Sequence, residues 1–134
     1  MRKLILLAAA ATMAVPAAVG AQAPSQDAQR FDLKEWPVER GGRSRDPYVA
    51  PDGKVFFAGQ QGNYVGQLDP TSGAVKYFEL QESTNPHTVI VDDQGFVWYA
   101  GNRNGRIGRL DPNTGEAKTY MTGEARDPHT MHFD

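Results

Sequence analysis

Two histidines and one tyrosine are the side chains in this sequence best suited to chemistry. His87 and His129 each stand between a proline and a threonine and are 42 residues apart. An imidazole titrates near neutral pH and can serve as a general base. Tyr48 follows Pro47 and could contact a ligand through its hydroxyl. A structural alternative stays open for each: the histidines could bond the backbone where a strand starts, and Tyr48 could be a packing aromatic.

Composition removes several classes of function. The chain has no cysteine, which excludes disulfides, thiolate metal sites and a cysteine nucleophile. Its formal net charge is −2 and it lacks a basic patch, so we expect no nucleic-acid partner. It carries no convincing phosphate-binding loop, Ser-His-Asp order or metal-ligand spacing. We therefore predict no metal site and no cofactor within these 134 residues.

Three arginines precede the first repeat: Arg40, Arg43 and Arg45. They could bind an anionic substrate. The simpler interpretation is a solvated loop in which they pair with Glu39 or Asp46.

A repeat of 42 residues organises the chain. Residues 53–77 and 95–119 match without gaps, with 10 of 25 positions identical. The shared residues include a Leu-Asp-Pro turn and several glycines. A period of this length, built from short apolar runs between turn signals, is typical of β-propeller blades. The sequence therefore predicts an all-β fold of four-stranded antiparallel blades.

The elements that position the candidate residues follow from this period. In the second repeat we predict strands at residues 87–92, 96–101, 106–111 and 116–121, so that His87 opens the innermost strand. We place the two blades at residues 46–80 and 86–121, with a shortened innermost strand near residues 48–50. A lone outer strand is expected at 33–38, and residues 127–134 should start a third blade. The prediction is an incomplete ring of about two and a half blades, with two apolar sheet faces left in water.

The N-terminus has the three-part pattern of a secretory signal peptide. Arg2 and Lys3 precede an apolar run that is too short to span a bilayer, and small residues follow. We predict a signal peptide over residues 1–21, cleaved after Ala21 or Ala23, and a disordered leader over 22–30. The mature protein is expected in the periplasm or outside the cell, with no membrane attachment after cleavage.

The repeat resembles the virginiamycin B lyase family, also called streptogramin lyases. The resemblance covers residues 31–134 and is carried by residues 46–48, 85–87, 97–102, 107–112 and 127–129. Members of the family are seven-bladed, which implies that this chain is an N-terminal fragment. They open a cyclic depsipeptide by eliminating across an ester-linked threonine, with Mg²⁺ and a histidine base.

The resemblance also bears on single residues. Family catalytic histidines belong to the last blades, so His87 and His129 match the Pro-His motif and not the catalytic position. Pro47-Tyr48 matches a Pro-Tyr that lines the substrate site. Gln60 and Asn102 stand where the lyases carry glutamate, one copy of which holds the metal. We therefore expect Mg²⁺ only for the full-length protein.

Three functions remain open. The first is an exported lyase-like propeller, of which this part is inactive alone. The second is a non-catalytic propeller that binds a small-molecule or peptide-like ligand, or a protein. The third is a relative of the lactonase or quinoprotein propellers, which would use Ca²⁺. The oligomeric state is open as well, including a ring assembled from several chains.

Overall fold

The fold comes from a computed structural model that describes residues 32–134. The predicted signal peptide and leader, residues 1–30, lie outside the described residues. Within the described residues, Lys34–Asp134 forms one compact unit. The described residues contain no helix that is long and apolar enough to cross a membrane.

Eight strands form two separate antiparallel sheets. The first sheet, blade 1, contains β1 (Ser44–Val49), β2 (Val55–Gly59), β3 (Tyr64–Leu68) and β4 (Val75–Glu79); the second, blade 2, contains β5 (Pro86–Val91), β6 (Val97–Gly101), β7 (Arg106–Leu110) and β8 (Ala117–Met121). Each sheet is a simple meander in chain order. The all-β prediction of four-stranded blades is confirmed, and the two blades do not close into a ring.

The two blades share one pairing register. Val55 pairs with Leu68 in blade 1, as Val97 pairs with Leu110 in blade 2. Each blade also places a ring across a cross-strand glycine: a Cβ on Gly108 would lie 1.9 Å from Tyr99 Cζ, and Gly66 faces Phe57 in the same way. Only glycine leaves room for these rings, which explains why the repeat keeps it at this step.

The innermost strands carry a bulge at the same step. In β1 the pairing skips between Arg45 and Tyr48, and in β5 it skips between Pro86 and Val89. The prediction of a shortened first strand is wrong, because β1 and β5 have six residues each. Pro47 lies inside the bulge, where a missing N–H breaks no ladder bond. β1 therefore begins at Ser44, four residues before the start that the sequence predicted.

The predicted outer strand at residues 33–38 is not formed, and neither is a strand at 127–134. A strand needs a neighbouring strand for its hydrogen bonds, and within residues 32–134 neither segment pairs with one. The first segment nevertheless contacts blade 1 as β4 contacts blade 2. Lys34 Nζ donates to the Pro70 carbonyl at 3.2 Å, and Trp36 packs on Gly73.

The core lies between the two blades. Blade 1 contributes Phe56, Val65 and Phe78 and blade 2 contributes Val97, Tyr99 and Leu110, all buried. Blade 2 has a second face, which points away from this core and which we call the open face. It is formed by the residues that lie 42 positions after the three of blade 1: Trp98, Ile107 and Tyr120. Its outer end is accessible, since Tyr120 is 48% exposed whereas Phe78 is 5% exposed.

The opposite face of blade 1 is covered. Arg40 lies over the rings of Tyr64 and Tyr77, with its Cζ 4.6 Å and 5.5 Å from their centroids. Tyr64 is fully buried. The prediction that both end faces would be left in water is therefore wrong for blade 1, because the segment before β1 folds over its sheet.

Candidate functional site

The candidate site lies where the innermost strands begin. Arg45 in β1, His87 in β5 and His129 in the segment after β8 occupy equivalent positions, 42 residues apart. The bulge in each inner strand turns the following residue toward the same region, so Asp46 and Thr88 join the group. We call these five residues the histidine cluster.

His87 is at the centre of the cluster and is 4% exposed. A guanidinium N–H of Arg45 donates to His87 Nε2. The lone pair of Nε2 is thereby occupied, and the proton of the neutral ring is assigned to Nδ1. His87 Nδ1 lies 3.2 Å from Asp46 Oδ2, at ion-pair distance but without the geometry of a hydrogen bond. Electrostatic attraction is thus the main effect of Asp46 on this ring.

His129 stacks on His87. The two ring centroids are 3.4 Å apart and the planes are tilted by 37°. His129 is itself exposed, and its Nδ1 lies 3.2 Å from Thr130 Oγ1. The structure therefore brings together the two histidines that the sequence singled out, one buried and one accessible.

Thr88 connects three chain segments. Its hydroxyl oxygen lies 2.8 Å from Asp46 Oδ2 and 2.6 Å from the carbonyl oxygen of His129. Both neighbours are acceptors and the hydroxyl has one proton, so the two interactions alternate. Thr88 thus ties β5 to β1 and to the segment that contains His129.

The surroundings shift two ionisation equilibria. The pKa of His87 is lowered, first by burial and then by the charges of Arg45 and His129, which outweigh the attraction of Asp46. Burial would raise the pKa of Asp46, but the hydrogen bond from Thr88, the neighbouring His87 and other contacts lower it overall. The cluster therefore holds a neutral imidazole beside a carboxylate at neutral pH.

This arrangement fixes the position of the His87 ring but leaves its Nε2 lone pair unavailable for proton transfer. A general base needs an accessible lone pair near its substrate, whereas the Nε2 atom of His87 is bonded to Arg45. The contacts favour the structural interpretation of His87. Sequence reasoning missed Arg45 and Thr88 as partners of His87. Applying the 42-residue shift to β1 from Ser44 would have placed Arg45 opposite His87.

Tyr48 lies apart from the histidine cluster. It lines a groove of about 450 Å³, together with Pro51, Val91, Asp92, Asp93 and Phe133. Its ring also packs against the core between the blades. The groove has mainly apolar walls, so it suits an apolar or aromatic group of a ligand.

Gln60 and Asn102, which stand where the lyases carry glutamate, contact each other. Gln60 Nε2 donates to Asn102 Oδ1 at 3.3 Å. Amide side chains are weak ligands for Mg²⁺ compared with carboxylates. Within residues 32–134, no three His, Asp or Glu side chains converge to hold a metal ion.

Two of the three arginines considered as an anion site, Arg40 and Arg45, have other partners than the predicted ones. Arg40 forms a bidentate pair with Glu79 of β4 and not with Glu39. Arg45 contacts His87. The predicted pairing with Glu39 or Asp46 is wrong for Arg40 and Arg45, because these two side chains reach across to residues distant in sequence.

Comparison with solved structures places these blades among known propellers. A catalytically inactive variant of virginiamycin B lyase from Staphylococcus aureus, crystallised with quinupristin, matches 62% of this chain at a TM-score of 0.57 and 20% identity. A streptogramin B lyase structure matches 66% of the chain at a TM-score of 0.60 and 26% identity. The chain resembles the virginiamycin B lyases. It spans 28% and 29% of the length of these two lyase chains.

The likeness to the virginiamycin B lyases is one of fold, and it is not confined to lyase structures. A chain in a crystal structure of the mitotic checkpoint complex matches 85% of this protein and 40% of its own length, at a TM-score of 0.56 and 18% identity. No protein-family model matches the sequence, and no curated protein matches it significantly. The lyase resemblance predicted from the repeat is confirmed at the level of structure.

Proposed function

We propose that this chain supplies early blades of an exported propeller of the virginiamycin B lyase type, and that these blades bind ligand without catalysing the elimination themselves. The proposal depends on two facts taken together: the structural match of the blades and the contact of His87 at the start of β5. The blades are similar in structure to the lyases, while the Pro-His motif at Pro86-His87 has its imidazole bonded to Arg45.

Catalysis by these blades alone lacks two components. An elimination needs a base that removes a proton; the lone pair of His87 is already occupied, so the exposed His129, which lies outside the strands of both blades, is the accessible imidazole. It also needs stabilisation of the negative charge that develops, which Mg²⁺ supplies in the family. Gln60 and Asn102 do not fit a magnesium site, since they are amides that bond each other. The catalytic groups of such an enzyme would have to come from other blades.

The ligand contact proposed for these blades is the groove at Tyr48. Its apolar walls and the phenol of Tyr48 suit a peptide-like small molecule with an aromatic or aliphatic side chain. The signal-peptide pattern at residues 1–21 supports a location in the periplasm or outside the cell, where such a compound would be met.

The DNA downstream of the Asp134 codon tests the proposal. We expect the reading frame to continue through further repeats of about 42 residues, with a late Pro-His preceded by glutamate and a glutamate after a late tryptophan-aromatic pair. A stop codon directly after Asp134, or later repeats without these residues, would overturn the lyase assignment.

An activity measurement tests the second part of the proposal, that these blades do not catalyse the elimination themselves. The 134-residue chain is incubated with virginiamycin B and Mg²⁺, and the ring-opened product is followed by mass spectrometry. We expect no product above a no-protein control. Ring opening that depends on this chain would show that the early blades do catalyse.

A non-catalytic binding propeller is the second candidate, and the Arg45–His87 contact favours it because it buries the imidazole in structural interactions. The same downstream sequence separates the two candidates. Later Pro-His motifs whose histidines also face an arginine at the preceding 42-residue position would indicate binding without elimination.

A further inference from the structure

A pocket separate from the Tyr48 groove lies at one corner of blade 2 and has a volume of about 740 Å³. One wall is the turn between β6 and β7, residues 103–105. The other wall is the end of β8 with the chain that follows it, residues 121–126. The pocket shares no lining residue with the Tyr48 groove and contains no member of the histidine cluster. Small-molecule sites usually measure about 300–1,000 Å³, so this pocket is large enough for an organic ligand.

Both walls of the pocket are fixed within blade 2. Neighbouring residues of a strand point to opposite faces. Tyr120 lies on the open face, so Met121 points to the side that faces blade 1. The chain after β8 is held by Thr122, whose backbone N–H donates to the Gly105 carbonyl at 3.0 Å and whose hydroxyl donates to the same oxygen at 2.8 Å. The two walls are therefore connected directly to each other.

A side chain occupies the equivalent corner of blade 1. Asn63 Nδ2 donates to the carbonyl oxygens of Leu80 and Gln81, each at 3.1 Å. Its Oδ1 accepts from the backbone N–H of Asn85 at 2.8 Å. The residue 42 positions after Asn63 is Gly105, which brings no side chain to the corner. The repeat thus departs from its own pattern at the position where the pocket is found.

A second difference removes an ion pair from this corner. Glu79 of blade 1 pairs with Arg40, and the residues 42 positions further along are Met121 and Glu82. Methionine carries no charge, so the pair cannot form in blade 2. Met121 is instead 62% exposed and gives the pocket an apolar wall.

Three charged side chains line the pocket: Arg103, Arg126 and Glu124. All three are exposed, and within residues 32–134 none of them takes part in an ion pair. Two guanidiniums and one carboxylate leave a single net positive charge, which suits a monoanion better than a phosphate dianion. A guanidinium also presents paired N–H donors that match the two oxygens of a carboxylate.

We propose that this pocket binds a small organic carboxylate, whose charged group pairs with Arg103 and Arg126 and whose aliphatic part packs on Met121. The apolar wall distinguishes such a ligand from an inorganic anion, which has nothing to place against a thioether. The site is independent of the function proposed above, since it uses neither the Tyr48 groove nor the histidine cluster.

An NMR titration of the 15N-labelled 134-residue chain with pentanoate tests the site, with sodium chloride keeping the ionic strength constant. We expect saturable shifts at the amides of Gly105, Gly123 and Arg126, with a dissociation constant on the order of 1 mM. Acetate has the carboxylate without the chain and should bind about fivefold more weakly or worse. Inorganic phosphate should also bind more weakly than pentanoate.

Four variants separate the pocket from a general effect of charge. Gly105→Asn rebuilds the corner as blade 1 has it, and the φ of 61° at Gly105 is close to the 57° of Asn63, so we expect a folded protein without saturable shifts. Arg103→Gln and Arg126→Gln should each weaken binding about threefold or more. Lys118→Gln removes the same charge from β8 outside the pocket and should leave the affinity unchanged.

Several results would overturn the proposal. The absence of saturable shifts in wild type, or undiminished binding by a folded Gly105→Asn, would show that the pocket is not the site. An equal loss of affinity in Lys118→Gln and in the two arginine variants would assign the effect to net charge; this comparison also decides if Gly105→Asn does not fold. Equal affinity for acetate and pentanoate, or tighter binding of phosphate, would refute the organic carboxylate.

Discussion

The Lys76 Nζ atom donates a 2.9 Å hydrogen bond to the carbonyl oxygen of Pro112. This bond connects the outer strand of blade 1 with a turn of blade 2. Lys34 makes the same contact one repeat earlier, to Pro70. The ammonium groups also lie over aromatic rings two residues on, Lys76 over Phe78 at 4.4 Å and Lys34 over Trp36 at 4.7 Å. Lys34 and Lys76, 42 residues apart, therefore make the same contact with the turn that follows the third strand of a blade.

Replacing Lys76 by methionine should destabilise the pair of blades by about 0.5–1 kcal/mol. Methionine keeps an apolar stem over Phe78 but cannot donate to Pro112. Urea unfolding followed by circular dichroism gives the change in midpoint. Lys118→Met is the matched control, since Lys118 donates no hydrogen bond within residues 32–134; an equal loss in both variants would contradict the role given to Lys76.

Replacing Tyr99 by phenylalanine should leave the protein as stable or make it about 1 kcal/mol more stable. Tyr99 is fully buried and its hydroxyl has no partner within the described chain. Burial also raises the pKa of this phenol, so the unpaired group stays protonated at neutral pH. Thermal unfolding of the two proteins measures the difference.

Phe57 of blade 1 occupies the position equivalent to Tyr99, and the reverse substitution there serves as the control. Phe57→Tyr adds a hydroxyl to a ring that lies over Gly66 in blade 1, and we expect it to cost about 1–3 kcal/mol. If Tyr99→Phe were the more damaging of the two, the Tyr99 hydroxyl would have to be hydrogen bonded.

Replacing Asp92 by asparagine should cost about 1–3 kcal/mol. The carboxylate accepts from Trp98 Nε1 at 2.8 Å and from the backbone N–H groups of Phe96 and Gln94 at 2.8 Å and 3.1 Å. An amide cannot satisfy all these donors. Asp93→Asn, one residue on and exposed, is the control and should have little effect.

Asp92 also predicts a pH dependence. Burial would raise its pKa, but the hydrogen bonds from Trp98, Phe96 and Gln94 and the charge of Arg109 lower it overall. Its contribution to stability is therefore complete above the ordinary aspartate pKa of about 3.9 and is lost as the pH falls through the lowered value. Urea midpoints of wild type and Asp92→Asn should converge toward low pH. A constant gap down to acid pH would contradict this.

Turn chemistry explains why most of the fold could be predicted from sequence. The Leu-Asp-Pro and glycine signals bound the strands closely, and the predicted strands of the second repeat agree with β5 to β8 within one residue at each end. These signals act locally, through the backbone angles that glycine and proline allow. Gly73 and Gly115, for example, have φ of 79° and 82° at equivalent turns.

The candidate site could be predicted only in part. The spacing of His87 and His129 indicated equivalent positions, but their stacking depends on how adjacent blades rotate, which no local pattern encodes. Arg45 was missed because the first innermost strand was predicted near residues 48–50, whereas β1 begins at Ser44. The covering of blade 1 by Arg40 was missed because its partner, Glu79, lies 39 residues further along the chain.

The open face of blade 2 carries its own optical probe. Trp98 is half-buried there, stacked on Tyr120 with 6.0 Å between ring centroids. Any partner that covers this face will exclude water from the indole and shift its emission to shorter wavelength. With Trp36 replaced by phenylalanine, Trp98 is the only tryptophan left in the chain. Assembly could then be followed by intrinsic fluorescence, without attaching a dye.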